Sequence, residues 1–284
     1  MNRPRQRRPA ALLLATLLFA CLAVDLGERL RQRRTPTAYA SLLYLPKASA
    51  LRLTGFGFDS LLADLIYLWA IQYYSDIDNP LRFERIEHIF QVITDLDPHY
   101  LDAYSIGALI MTLDYGRPKL ALALLDRGMA RNPDRWILPL DAGLYARMNL
   151  RDYALAARYF RRAMALPGAP PVSPRLYAGS LAQAGDRRAA LAVWRRIYQT
   201  SEDESLRAIS RRRAEQLEVE LDLEALRDAL ARYRAERGRH PGRLEELRPR
   251  HLRALPLDPE GRPYDYDPRS GTVRRAGGFQ VARG

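Results

Sequence analysis

Between residues 86 and 200 apolar positions recur at intervals of three and four, in runs of about a dozen residues separated by short polar stretches. That spacing predicts amphipathic helices packed along one face. The runs "IEHIFQVITDLDP", "ALALLDRGMARNP", "YALAARYFRRAMALP" and "YAGSLAQAGDRRAALAVWRRIYQ" carry it most clearly. Residues 205–237 continue helically without Gly or Pro, as one or two long helices ending at Gly238, a residue favoured just past a helix C-terminus. The pattern then changes. "RGRHPGRLEELRPRHLRALPLDPEGRPYDYDPRSGTVR" predicts a compact module: a short helix at Leu244–Leu247, two strands around 264–266 and 272–273, and a turn at 268–271. Residues 10–26 are almost uninterruptedly apolar. Residues 39–74 are apolar and aromatic, but Lys47, Arg52, Asp59 and Asp64 interrupt them and Pro46, Gly55 and Gly57 break any long helix. In this stretch Leu61, Leu65, Leu68 and Gln72 share a helical face, which predicts a first helix packing on those that follow.

The helical runs repeat. Pro98, Pro133 and Pro167 close three of them at spacings of 35 and 34 residues. A tetratricopeptide repeat is a helix-turn-helix of about 34 residues whose second helix carries a small residue, a large apolar one four later, a small one three further on, and a closing Pro. Ala121, Leu125, Gly128 and Pro133 fit that pattern, and so do Ala156, Phe160 and Ala163, with Pro167 one residue early. Ala190, Trp194 and Ile197 follow, with Gly185 and Asp186 at the turn. Residues 57–90 read as a more degenerate pair joined at Asp78, Asn79 and Pro80. The fold class expected is mainly α: a TPR-like α-solenoid after an N-terminal membrane anchor, with a small α+β C-terminal module. Its divisions are 1–34, 35–80, 81–204, 205–238 and 239–284. On this alignment Asp102, Ser105, Leu109, Leu144, Arg147, Arg175 and Gln183 line a groove that suits a protein or peptide partner better than a small metabolite.

Charge narrows the partners. The chain of 284 residues carries +12 at pH 7, of which residues 1–34 hold +6, residues 205–284 hold +5 and the body between them only +1. A phosphate backbone needs a continuous basic face, so no nucleic-acid partner is expected. The single cysteine, Cys21, excludes disulfides within the chain, cysteine zinc sites, iron-sulfur ligation and haem attachment. A basic start followed by the apolar run 10–26 has the layout of a secretory signal. Three outcomes fit it: a retained anchor in the bacterial inner membrane, a lipoprotein acylated at Cys21 in "LFAC", or a cleaved peptide. Each places the bulk of the chain outside the cytoplasm, in the periplasm of a Gram-negative cell.

"YLPKASALRLTGFGFDSLLADLIYLWAIQYYSD", followed by "TDLDPHYLDAY" and "LLDRGMARNPDRW", resembles a family of bacterial, membrane-anchored tetratricopeptide-repeat proteins. The resemblance spans most of residues 40–275, implies architecture and location, and brings no catalytic residues. The tail resembles that of type II secretion pseudopilins through Tyr233, Gly238, Pro241, Leu244, Leu247, Pro256, Asp258, Pro259, Gly261, Tyr264 and Tyr266. His240 and Glu260 stand where that pattern has aromatic residues, and its methylated assembly helix and calcium-binding acidic loop are missing. The tail is thus expected either to cover the end of the solenoid or to dock on a pseudopilin-like partner.

No metal-binding spacing joins His88, His99, His240 or His251, and Glu84 with His88 reads as a surface pair. No nucleophile elbow, Walker loop or dinucleotide fingerprint occurs, and "GFG" at 55–57 is too short to cradle a phosphate. The expectation is a scaffold without cofactor or metal, not an enzyme. It would bind a protein or peptide partner during assembly of an envelope or secreted complex. The alternatives are a component of a type II secretion or pilus-like machine, and an envelope enzyme with no recognisable motif.

Overall fold

The computed structural model describes residues 45–77 and 81–277, together with Asp25. The expected anchor, Cys21 and the junction at residues 78–80 lie outside the described residues. Among those described no helix is long and apolar enough to cross a membrane. The chain divides into two compact units, up to Asp97 and from Pro98 onward.

The first unit holds α1 (Ala48–Thr54), α2 (Asp59–Ser75) and α3 (Ile86–Leu96), with α1 and α2 both packed on α3. α3 buries Ile86, Ile89, Phe90 and Ile93, spaced at three and four residues, while α2 buries Ala63, Ala70 and Tyr73. Tyr67 meets Phe90 edge-on at 6.4 Å. Polar contacts tie the loops: Arg52 donates to the Asp95 carbonyl and pairs with Asp59 at 3.3 Å, and His88 Nε2 donates to the Leu45 carbonyl at 2.8 Å. The face expected to pack, that of Leu61, Leu65 and Leu68, is instead 54–62% exposed. Small residues and Tyr73 on the other side of α2 make the packing face, because they allow α3 to approach closely.

The second unit begins with three helix hairpins. They are α4 (Leu101–Leu113) with α5 (Pro118–Arg131), α6 (Ile137–Met148) with α7 (Tyr153–Met164), and α8 (Ser173–Gln183) with α9 (Arg187–Thr200). Each helix packs on the next in chain order, and α4 also meets α6. The turns follow from their residues. Pro118 opens α5 with its φ preset, while Asp152 and Asp186 cap α7 and α9 by accepting from Leu155 N at 2.9 Å and Ala189 N at 3.0 Å. Inside the hairpins Ala121, Ala156 and Ala190 are fully buried, as are Leu125 and Phe160, with Trp194 nearly so. Each of the three large side chains contributes about 2–3 kcal/mol by leaving water. Contacts recur at close to the repeat distance, within the first hairpin and between it and the second. Asn132 Nδ2 donates to the Pro98 carbonyl at 2.8 Å, Tyr159 Oη to Asp126 at 2.9 Å and Arg162 to the Met129 carbonyl at 2.9 Å.

One helix, α10 (Glu204–Arg237), runs 34 residues, about 51 Å, where one or two were expected. Asp203 caps its start through Ser205 N and Leu206 N, and Gly238, at φ +70°, ends it in the left-handed conformation. Its first half buries Ser210, Ala214 and Leu217 in a cluster with Ala190, Trp194 and Ile197. Its second half buries Leu226, Ala229, Leu230 and Tyr233 with Leu244, Leu247, Tyr264 and Val273. At 100° per residue these two stripes are rotated by about 140°. The cover on the last hairpin is therefore the first half of α10, and the tail packs on the second half.

In the tail β1 (Asp265–Asp267) pairs antiparallel with β2 (Thr272–Arg274), Tyr266 opposite Val273. Tyrosine hydroxyls anchor it: Tyr264 donates to Asp222 at 2.9 Å, Tyr266 to the Pro241 carbonyl at 3.0 Å and Tyr233 to Glu246 at 2.6 Å. The turn before β1 is organised by Asp258, 4% exposed, which accepts from Glu260 N, Arg262 N and the Arg262 and Arg275 guanidinium groups at 2.8–3.3 Å. Burial alone would raise its pKa. The accepted hydrogen bonds from Arg262 N, Arg275, the Arg262 side chain and Glu260 N outweigh that and hold it at about 2.

A chain ending at Gly238 should keep the helical circular dichroism of the hairpins and their cooperative urea transition, since the tail does not cover them. Wholesale unfolding would show that it does. Asp258→Asn should lower hydrogen-exchange protection of residues 258–275 at neutral pH. Because the folded pKa is depressed, the carboxylate's contribution is complete above its ordinary 3.8 and fades toward about 2. The gap between wild type and variant should accordingly close over that interval as pH falls.

Candidate functional site

The last hairpin and α10 do not close on each other along their whole length, and between them lies a cleft of about 690 Å³. Its apolar surface comes from Leu176 on α8, Trp194 on α9, and Ile209 and Leu217 on α10. Around this surface stand four arginines: Arg147 at the end of α6, Arg175 on α8, Arg187 on α9 and Arg213 on α10. Two of them have partners. Arg187 pairs with Glu220 at 3.3 Å and Glu224 at 3.7 Å, and Arg213 donates to Gln216 at 3.1 Å. Arg147 and Arg175 make no hydrogen bond or ion pair with the described residues. The Arg147 guanidinium lies over Gly179, so that a Cβ there would sit 3.6 and 3.8 Å from its nitrogens.

Such a site can hold carboxylates. Guanidinium groups present paired donors that match carboxylate geometry, and the aromatic and aliphatic surface between them accepts an apolar side chain. Among the lining residues the one carboxylate is Glu220, held by Arg187 and by Gln216 Nε2 at 3.0 Å, so no acid and base stand ready for proton transfer. Among the described residues no group of three or more His, Cys, Asp or Glu is placed to hold a metal ion.

Of the residues expected to line the groove, Arg147, Arg175 and Gln183 come together in this cleft. Asp102 and Leu109 lie exposed on α4. Ser105 is tied to α6, donating to Asp141 at 2.9 Å. Burial raises the Asp141 pKa, which the Ser105 bond partly offsets, and burial followed by the Asp141 charge pushes Tyr145 up to about 12. Leu144 packs against the cluster of Leu140, Ala156 and Phe160. The groove thus narrows from seven candidates over three helices to one end of the array.

The wall from α10 escaped sequence reasoning, although Ile209, Arg213, Gln216 and Glu220 recur at three and four residues. Their polarity reads as a solvated face until a neighbouring helix is placed opposite. A second missed signal is Gly107, Gly143 and Gly179, spaced at 36 residues on the first helix of each hairpin. Gly143 admits the Phe160 ring, whose atoms would lie 2.5–3.0 Å from an added Cβ. Of the models of known protein families none matches the chain, and no curated protein matches it in sequence.

The two glycines should respond oppositely. Gly143→Ala should lose about 1–3 kcal/mol in urea denaturation through overpacking against Phe160. Gly179→Ala, meeting only the mobile end of Arg147, should be neutral or gain up to about 1 kcal/mol from helix propensity. Equal losses would mean that Gly179 too is a packing contact.

Proposed function

We propose that the protein is a non-catalytic, TPR-like scaffold, held outside the cytoplasm by its N-terminal segment, that grips an acidic segment of a protein partner during assembly of an envelope or secreted complex. The observation that carries this reading is the pair Arg147 and Arg175, without counter-charges among the described residues, beside an apolar surface wide enough for side chains. Unpaired guanidinium groups at the mouth of a cleft are costly to bury and cheap to leave wet. A partner that brings carboxylates and an apolar anchor satisfies both parts of the site. The repeat period, the buried small residues at 121, 156 and 190 and the chain-order packing support the TPR-like description.

A second reading is an accessory role in a type II secretion or pilus-like machine. It is favoured by the tail, where Tyr233, Asp258, Gly261, Tyr264 and Tyr266, residues of the pseudopilin-like pattern, are those that build the module on α10.

A photoreactive amino acid in place of Gln183 at the edge of the cleft should cross-link one defined protein in native membranes. Arg147→Glu together with Arg175→Glu should reduce that adduct at least about tenfold, and added salt should weaken it progressively. Arg188→Glu, at an exposed position outside the cleft lining, should leave it intact. An adduct indifferent to both reversals and to salt overturns the acidic-segment reading. Loss of the adduct on deletion of residues 239–284 alone, with the cleft variants silent, favours the second reading.

A further inference from the structure

The turn between α1 and α2 is Gly55-Phe56-Gly57, and its central residue is unusual in two ways. Phe56 has φ +48°, in the left-handed region that bulky residues avoid, and its side chain is 90% exposed. A strained backbone is retained where surrounding structure or function demands it, and here the strain holds an aromatic ring out of the protein. Phe58 and Leu53 beside it are also exposed, and Leu61, Leu65 and Leu68 extend the apolar surface along α2 at helical spacing. The opposite side of α2 buries Ala63, Ala70 and Tyr73, so the helix carries large apolar residues on both sides, with Asp64 and Gln72 exposed among the outer ones, while its partner among the described helices, α3, covers only one side. A helix with large apolar residues on two sides has a second side that a neighbour can cover. Large apolar residues exposed together along one helix face and the turn before it mark a surface that meets something.

We propose that this face, led by Phe56, lies in the interfacial layer of a lipid bilayer and seats the first unit on the membrane. Three observations select a bilayer over a protein. The patch ends in an aromatic tip, which suits insertion among headgroups and upper acyl chains. Charge on it is sparse, since Arg52 pairs with Asp59 and the exposed Asp64 is the one other charge on α2, which gives a charged partner little to select. The apolar run 10–26 precedes it in the chain: the connection from residue 26 to residue 45 spans at most about 65 Å, so wherever that run enters a membrane the face stays within that reach of the bilayer, at a high local concentration. The inference rests on the extracytoplasmic, membrane-held reading above, and it adds a second, peripheral contact that orients the chain rather than merely tethering it.

The test uses the full chain with Cys21→Ala in phosphatidylcholine and phosphatidylglycerol vesicles. Single cysteines at Phe56, Leu61 or Leu65 carry an environment-sensitive fluorophore, with references at Leu18 in the apolar run and at Glu202 on the exposed loop before α10. Labels on the face should be quenched by spin-labelled lipids and lose accessibility to aqueous iodide by roughly threefold relative to Glu202. If the Leu18 label is lipid-quenched while the face labels match Glu202, the anchor holds and this inference is overturned. Shielding from iodide without lipid quenching would show a protein covering the face, and equally overturns it. Lipid quenching on the face with Leu18 unquenched would sustain the inference while removing the anchor. Circular dichroism of each labelled chain reports that the exposed substitutions leave the fold intact.

Discussion

The second unit depends on one helix serving two cores. α10 has no Gly or Pro between its caps, so nothing in its backbone interrupts it for 34 residues, and each half must bury its own stripe. Its first stripe of Ser210, Ala214 and Leu217 closes the last hairpin, and its second, rotated by about 140°, carries the tail. Because the helix is continuous, the tail is held at a defined distance and angle from the hairpins without any large contact between them. Asp222, near the change of stripe, receives the Tyr264 hydroxyl and fixes the tail where the two cores meet.

The cleft is a consequence of the same geometry. A repeat array buries each hairpin against the next, and its final apolar face has to be covered by something that does not itself repeat. α10 takes that place with small and medium side chains toward α9 and with Ile209, Arg213, Gln216 and Glu220 along the neighbouring strip. The strip is too polar to close onto α8, and the gap that remains is walled by arginines from four helices. Gly179 widens it, since the position that at Gly143 admits the Phe160 ring onto α6 is here met only by the end of Arg147.

The first unit shows the opposite imbalance. α3 presents one apolar stripe and buries it, whereas α2 presents two and buries only the side lined by small residues. The exposed side has no charged strip of its own to make it an ordinary solvated face. Phe56 and Phe58 add exposed aromatic rings in the turn just before it.

The helices and their order are legible in the residues themselves, because apolar spacing and capping chemistry act locally. Ala121, Ala156 and Ala190 can be picked out as close-packing positions, and Asp186 and Gly185 as a turn, without knowing what they touch. The single continuous α10 is less legible, since its two stripes cancel each other's periodicity when the segment is read as one. Which side of α2 is buried could not be read at all. Both sides are apolar, and only the approach of α3 to Ala63 and Ala70 decides between them. The candidate site is legible by half: Arg147, Arg175 and Gln183 follow from the repeat alignment, while Arg187, Arg213 and Trp194 enter through contacts between elements far apart in sequence. Local periodicity therefore determined what each segment is. The direction in which each segment faces, and hence where the arginines converge, was decided by tertiary packing, because burial is a property of neighbours that no single stretch contains.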